Sequence, residues 1–370
     1  MTRATRTFAP VPPRDDLQAL EGYHSPQLDV RVRLNTNESP FPPPRAFVDA
    51  WLAELGTVPL HRYPDRAARQ LRVALAERLD QPVERVFCAN GSNEVLQTLL
   101  LTYGGASRRA LVFEPTYALH SHIARITGTP LVEAERRDDF SVDVDVARAA
   151  IAEHDPSLVF ACSPNNPTGT VDEHGTIDAL TSTLADTGRA LLVVDEAYGE
   201  FAPRTAIDLV AEDRPLVVVR TYSKIWSMAA LRLGFCVAPE WVVEELEKVV
   251  LPYHLGVPTQ VAGRLALEYE EAMRARVDEL VRERDRMQDA LESQPGVTPF
   301  PSGANFVLFR VDGDGHAVWE RLVARGVLVR DFARWPRLDD CLRVSIGTRD
   351  ENDAFVAALR DAVAEEGLHR

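Results

Sequence analysis

The chain has 370 residues, 45% of them hydrophobic, enough for two domains or one large α/β unit and too many for a small stapled scaffold. A formal charge of -15 argues against a broad phosphate-binding face for nucleic acid and leaves local basic pockets and small anionic ligands open. The four cysteines, Cys88, Cys162, Cys236 and Cys341, form no CxxC pair, and no apolar run approaches the ~18 residues of a membrane span; a disulfide framework, a zinc site and a bilayer anchor are not indicated, and a reducing cytoplasm is the expected setting.

Residues 1–45 are rich in proline (FAPVPPR, SPFPPP) and carry two early arginines without the apolar stretch of a secretory signal, so they read as an extended arm with part of a small domain. Residues 46–268 alternate short apolar runs (RALVFEP, SLVFACSP, ALLVVDEAY, PLVVVRTYS, RLGFCVAP) with helical patterns such as DEHGTIDALTSTLADTG. Runs apolar on both faces, separated by crossover-length segments, predict a mainly parallel sheet covered by helices, an α/β domain. Residues 269–370 form a linking helix and a small C-terminal domain. Tyr269, Met273, Val277, Leu280, Val281, Met287 and Leu291 recur at helical spacing; ANFVLFRV, VLVRDF and CLRVSIGT follow as strands; and Thr348 to Glu351 matches a capping box at the start of a final helix.

Ligands of open parallel sheets bind beyond the carboxyl ends of the strands. SPNNPTG follows SLVFAC, DEAYGEF follows ALLVV, and TYSK follows PLVVVR, so amide, carboxylate, phenol and amine groups reach one edge. Of 41 basic residues only Lys224 and Lys248 are lysines. Lys248 has an ordinary reading as an ion pair with Glu244 on a helix surface. Lys224 follows an apolar run and precedes Ile225, Trp226 and Met228. A lysine is a nucleophile only when neutral, and at its usual pKa of ~10.4 fewer than about one in 10³ is neutral at pH 7. Burial among Trp226 and Met228, with the charge of Arg232 nearby, predicts a lowered pKa and a Schiff-base lysine. No nucleotide loop of the G-x-x-x-x-G-K-[ST] or G-x-G-x-x-G kind is present, none of the nine histidines makes an HExxH pair, and His120 and His122, two apart, face different sides of a helix, so no metal is expected.

SPNNPTG, VVDEAYGEF and TYSK followed by ALRLG resemble the class I/II aminotransferases of pyridoxal phosphate fold type I. LNTNESPFPPP, LHRYPD, ANGSNEVLQ, LPYHL and LRVSIGTRDENDAF resemble the histidinol-phosphate aminotransferase branch. The resemblance implies a seven-stranded, mainly parallel sheet in the large domain, pyridoxal 5′-phosphate as cofactor, and ping-pong transamination between histidinol phosphate and 2-oxoglutarate in histidine biosynthesis. It implies that Lys224 bonds the cofactor and moves the Cα proton, that Asp195 pairs with the pyridine nitrogen, that Asn166 and Tyr198 bond the ring oxygen, and that Tyr117 stacks on the ring. Gly91, Ser92 and Asn93 at a helix start, with Thr221, Ser223 and Arg232, would hold the cofactor phosphate. Tyr63 would reach across from a second subunit, implying a homodimer with shared sites. Arg343 would grip the substrate carboxylate, Arg330 a second anion, with Tyr23 and Asn37 closing over the pocket.

Two departures from the family pattern bear on substrate. Ile225, Trp226, Ser227, Met228 and Ala230 stand where small residues are usual, and ARWPRLDD replaces a shorter glycine-containing turn. An aromatic (phenylalanine) or specialised-metabolite aminotransferase, a phosphothreonine-type decarboxylase and a non-catalytic cofactor-binding protein therefore stand as alternatives.

Overall fold

The structure of the protein is a computed structural model that describes residues 11–18, 20–22 and 26–367. The first strand, β1 (Val32–Leu34), joins a five-stranded sheet whose other members come late in the chain. Between them a seven-stranded sheet is built from β2 (Val86–Ala89), β3 (Ala110–Glu114), β4 (Leu131–Glu135), β5 (Leu158–Cys162), β6 (Leu191–Asp195), β7 (Leu216–Thr221) and β8 (Gly234–Val237), in the order β2-β8-β7-β6-β5-β3-β4. Strands β3 to β7 run parallel, and β8 is antiparallel to both β7 and β2.

Every residue of β5, β6 and β7 is buried, as strands covered on both sides require. The period of two divides β3 and β5 between separate cores: Leu111, Phe113, Val159 and Ala161 belong to one, while Ala110, Val112, Leu158 and Phe160 pack with Val95, Leu96 and Leu99 of the helix Ser92–Tyr103 in the other. The register pairs Cys162 with Asp195 and Asp195 with Val219, so β5 and β6 end level, β7 runs on to Thr221, and their following loops open onto one edge.

The five-stranded sheet adds β9 (Val297–Pro299), β10 (Phe306–Val311), β11 (Val327–Asp331) and β12 (Cys341–Ser345), in the order β1-β11-β12-β10-β9. Only β1 and β11 pair in parallel. The helix Glu270–Glu292 buries Met273, Val277, Leu280, Met287 and Leu291, the stripe expected from their spacing. The capping box is present at the last helix, Arg349–Gly367: Thr348 N donates to Glu351 Oε2 at 2.8 Å and Glu351 N to Thr348 Oγ1 at 3.4 Å. Lys248 pairs with Glu245 at 2.6 Å, three residues away, and not with Glu244.

Candidate active site

A cavity of about 260 Å³ lies at the carboxyl edge of β5, β6 and β7, closed from the other side by β11, β12 and the segment that follows β1. Thirteen of the sixteen residues singled out from the sequence line or rim it: Lys224, Asp195, Asn166, Tyr198, Tyr117, Ser92, Asn93, Thr221, Ser223, Arg232, Asn37, Arg330 and Arg343. Gly91 stands one residue outside, as the residue before the helix Ser92–Tyr103. Tyr63 does not line the cavity; it is 80% exposed and stacks on Tyr253 at 4.5 Å. Tyr23 lies outside the described residues.

Lys224 leaves the end of β7 and its Nζ donates to the Thr36 carbonyl at 3.1 Å. Its pKa is lowered from 10.5 to about 8, first by burial, then by the charge of Arg343, with a smaller push from Arg232 and opposition from Glu38. The direction is the one expected, but two of the expected causes are corrected. Arg343, from the five-stranded sheet, acts more strongly than Arg232. Ile225, Trp226 and Met228 do not wall the cavity: each is at most 3% exposed within the main core, and Trp226 stacks on Tyr222 at 5.1 Å. The backbone turns sharply here, with Met228 N donating to Tyr222 O at 3.3 Å and Ser227 at φ 53, which carries these side chains away from the amine.

Asp195, the last residue of β6, is 1% exposed. Its Oδ1 accepts from Ala197 N at 3.0 Å and its Oδ2 lies 3.0 Å from His120 Nε2. His120 is fully buried, stacked on Phe160 at 5.2 Å and met edge-on by Tyr117 at 5.4 Å. The spacing of His120 and His122 carries no sign of this contact; the signal for His120 is its place three residues after Tyr117, at the start of the helix Ala118–Ile126. Among the described residues no cluster of His, Cys, Asp and Glu could hold a metal ion.

The turn after β5 is fixed by Asn165, which accepts from Thr116 Oγ1 at 2.9 Å and donates to Pro115 O at 3.0 Å. Its neighbour Asn166 is thereby aimed inward, and its Oδ1 accepts from Arg343 Nη1. Arg343 Nη2 donates to Asn35 O at 3.0 Å. Tyr198 accepts from Asn37 Nδ2 at 2.9 Å, and burial pushes its hydroxyl up to about 12, so it remains a proton donor at neutral pH. Asn37 is 1% exposed and held by Ser345 Oγ, which donates to Asn37 Oδ1 at 2.8 Å; it is part of the cavity wall and not a cover over it.

A cup at the start of the helix Ser92–Tyr103 suits a phosphate. Gly91 takes φ +82, and a Cβ there would stand 2.8 Å from Arg232 Nη2. A Cβ on Gly234 of β8 would meet Ser92 N at 2.2 Å, so only glycine lets the strand approach the helix start this closely. Free amides at that helix end, the hydroxyls of Ser223 and Thr221 (3.0 Å apart) and the Arg232 guanidinium together present donors and positive charge to an anion. Tyr117, whose hydroxyl donates to Asn93 Oδ1 at 3.2 Å, offers a ring face between this cup and Asp195. The set of a phosphate cup, an aromatic face, a buried carboxylate and an amine of lowered pKa fits a phosphorylated pyridine aldehyde.

Comparison with known proteins agrees with this chemistry. A family model described as aminotransferase class I and II matches residues 30–359. The chain is 44% identical over 370 residues to the histidinol-phosphate aminotransferase of Mycobacterium avium (strain 104), covering 97% of this chain and 91% of that one. It is 44% identical over 365 residues to the histidinol-phosphate aminotransferase of Streptomyces avermitilis, covering 96% and 98%. Its fold is similar to the crystal structure of histidinol-phosphate aminotransferase from Sinorhizobium meliloti in complex with pyridoxal-5'-phosphate, with a TM-score of 0.85 over 96% of this chain and 99% of that one, at 24% identity.

Proposed function

The chain belongs to the class I and II aminotransferases, which use pyridoxal 5′-phosphate, and from that premise we propose that its amino donor is histidinol phosphate and its acceptor 2-oxoglutarate. One observation carries the choice of donor: Arg330 and Arg343 occupy opposite positions of β11 and β12 and both line the cavity that contains Lys224. Two guanidinium groups suit a donor that presents phosphate and an acceptor that presents two carboxylates.

When bound, the cofactor would supply a sink for the electrons released as the donor's Cα–H bond breaks. Ser92, Asn93, Thr221, Ser223 and Arg232 would hold its phosphate, Tyr117 would stack on its ring, and Asn166 and Tyr198 would donate to its ring oxygen. Asp195, held in place by Ala197 N and His120, would keep a proton on the pyridine nitrogen. Lys224 Nζ, neutral in a useful fraction near pH 8, takes the proton from the donor's Cα. Arg343 orients the donor or acceptor through its anion, and the same site serves both in turn.

In the same proposal residues 46–268 form the larger domain, and the arm before them and residues 269–370 form a smaller one against it. So does a homodimer, supported by the exposed apolar residues Leu60, Tyr63, Leu251 and Tyr253, across which Tyr63 reaches the partner's site. Four buried, unpaired cysteines support a reducing, cytoplasmic location.

The aromatic groups Tyr117, Phe332 and Trp335 in the cavity support a second reading, a phenylalanine aminotransferase. Purified protein given histidinol phosphate and 2-oxoglutarate should form glutamate, with a higher kcat/KM than with phenylalanine. Preference for phenylalanine overturns the choice of donor. Release of carbon dioxide without glutamate overturns transamination.

A further inference from the structure

Residues 332–340 leave β11 and return to β12, and both halves of this turn are fixed. Phe332 and Leu338 are buried in a small cluster with Phe140, Leu308 and Cys341. Arg337, at φ 65, spans to the large sheet: Nη1 donates to Arg136 O at 2.6 Å, Nη2 donates to Arg137 O at 3.0 Å, and the guanidinium lies 6.0 Å from the Phe140 ring. Between these anchors Trp335 lines the active-site cavity, 36% exposed, with its ring 5.1 Å from that of Phe332 at an interplanar angle of 76°. Its backbone N–H donates to Phe332 O at 2.9 Å, which fixes the main chain that carries the half-buried indole. A large aromatic surface is thus kept rigid and presented to whatever fills the cavity, at little ordering cost on binding.

We propose that Trp335 is a specificity-determining residue, the wall against which the planar side chain of the amino donor lies, and that Arg337 is a positioning residue that holds the wall in place. The inference rests on the aminotransferase reading of this site and deepens it by naming the donor class as an α-amino or β-amino-alcohol-derived amine with a flat ring, imidazole or phenyl. Arg330, at the end of β11 beside Phe332, receives the anion carried by such a donor. Glutamate, which has no ring, does not use the wall.

The test is the donor half-reaction of the cofactor-loaded enzyme, followed by cofactor absorbance in single turnovers with histidinol phosphate, phenylalanine and glutamate. Loss of one stacked ring contact raises the half-saturating concentration of a planar donor about tenfold in Trp335→Ala, while its limiting rate stays within about twofold. Glutamate should be unchanged, which also shows that the variant is folded. Trp335→Phe should recover most of the loss, and Arg337→Gln should reproduce part of it in the same direction. Equal effects on glutamate and the planar donors, or none on either, overturn the proposal. If the parent enzyme accepts phenylalanine and not histidinol phosphate, the donor proposed above fails while the phenylalanine-to-glutamate ratio still judges Trp335; if it accepts neither planar donor, the wall fails too.

Discussion

Arg330 and Arg343 stand directly opposite each other in the register of β11 and β12, and both lie against one ring, with Phe332 5.8 Å from the first guanidinium and 5.4 Å from the second. Like charges placed across a strand pair disfavour each other. The aromatic face offsets part of that repulsion, and an anion between the two offsets more. Arg343→Ala should therefore lower kcat/KM for histidinol phosphate and 2-oxoglutarate alike by about a hundredfold or more, the scale for losing a paired, charge-assisted contact. Arg330→Gln should act mainly on KM for the phosphate-bearing donor. In the parent, millimolar inorganic phosphate should raise the thermal midpoint, and in Arg330→Gln that rise should shrink.

Lys224 gives the pH dependence. Its pKa is about 8 in the folded protein against 10.5 ordinarily, so between those values the unfolded chain holds a proton that the folded chain lacks. Stability of the cofactor-free protein therefore gains from this group as pH rises from about 8 to 10.5, and below 8 the full penalty of a charged, half-buried amine stands. Lys224→Met should be more stable than the parent to urea at pH 7, with the gap closing toward pH 10.5. Reaction of the free amine with a small aldehyde should titrate near pH 8, and a midpoint near 10.5 would falsify the assigned environment.

Among the described residues, the side chain that meets Asp195 Oδ2 is that of His120, with Nε2 at 3.0 Å. His120→Phe keeps the stacking on Phe160 and removes the polar contact, leaving a buried carboxylate oxygen without a partner. The expected cost is about 1–3 kcal/mol of stability in the cofactor-free protein, measured by urea unfolding. Exchange of the donor's Cα hydrogen with solvent should slow in the loaded variant, as it should in Asp195→Asn.

Gly234 sets the distance between β8 and the phosphate cup. In Gly234→Ala the new methyl must displace the amide of Ser92, from which it would be 2.2 Å, so the helix start moves away from the anion. Spectral titration should show cofactor affinity reduced by an order of magnitude or more, since each charge-assisted hydrogen bond contributes about 1.5–3 kcal/mol. Unchanged affinity would mean that the phosphate sits elsewhere.

Much of this site was legible because Asn166, Asp195 and Lys224 follow the most apolar runs in the chain, and the ends of parallel strands lie together. The four strands not anticipated, β1, β2, β4 and β9, are short or lie at sheet edges; β4 carries Glu133 and Glu135, and β9 ends in Pro299. His120 was hidden because its partner is 75 residues away. Trp226 and Met228 are neighbours of Lys224 in sequence and point into the core, whereas Arg343, 119 positions beyond Lys224, is the charge that acts on it most. The ARWPRLDD turn, a departure from the family pattern visible in the sequence, does reach the cavity, through Trp335.

Three consecutive residues after β1 hold most of these groups to one another. Arg343 donates to Asn35 O, Lys224 to Thr36 O, and Asn305 Nδ2 to Asn37 O, while Asn37 Nδ2 reaches Tyr198. A fragment beginning after residue 40 would retain every strand of the seven-stranded sheet and four of the other five, yet its principal cation, its nucleophile and its phenol would each have lost an anchor. Cleavage at this one tripeptide would thus disarm the enzyme long before it unfolded it, and limited proteolysis followed by separate assays of activity and secondary structure would see the two losses part company.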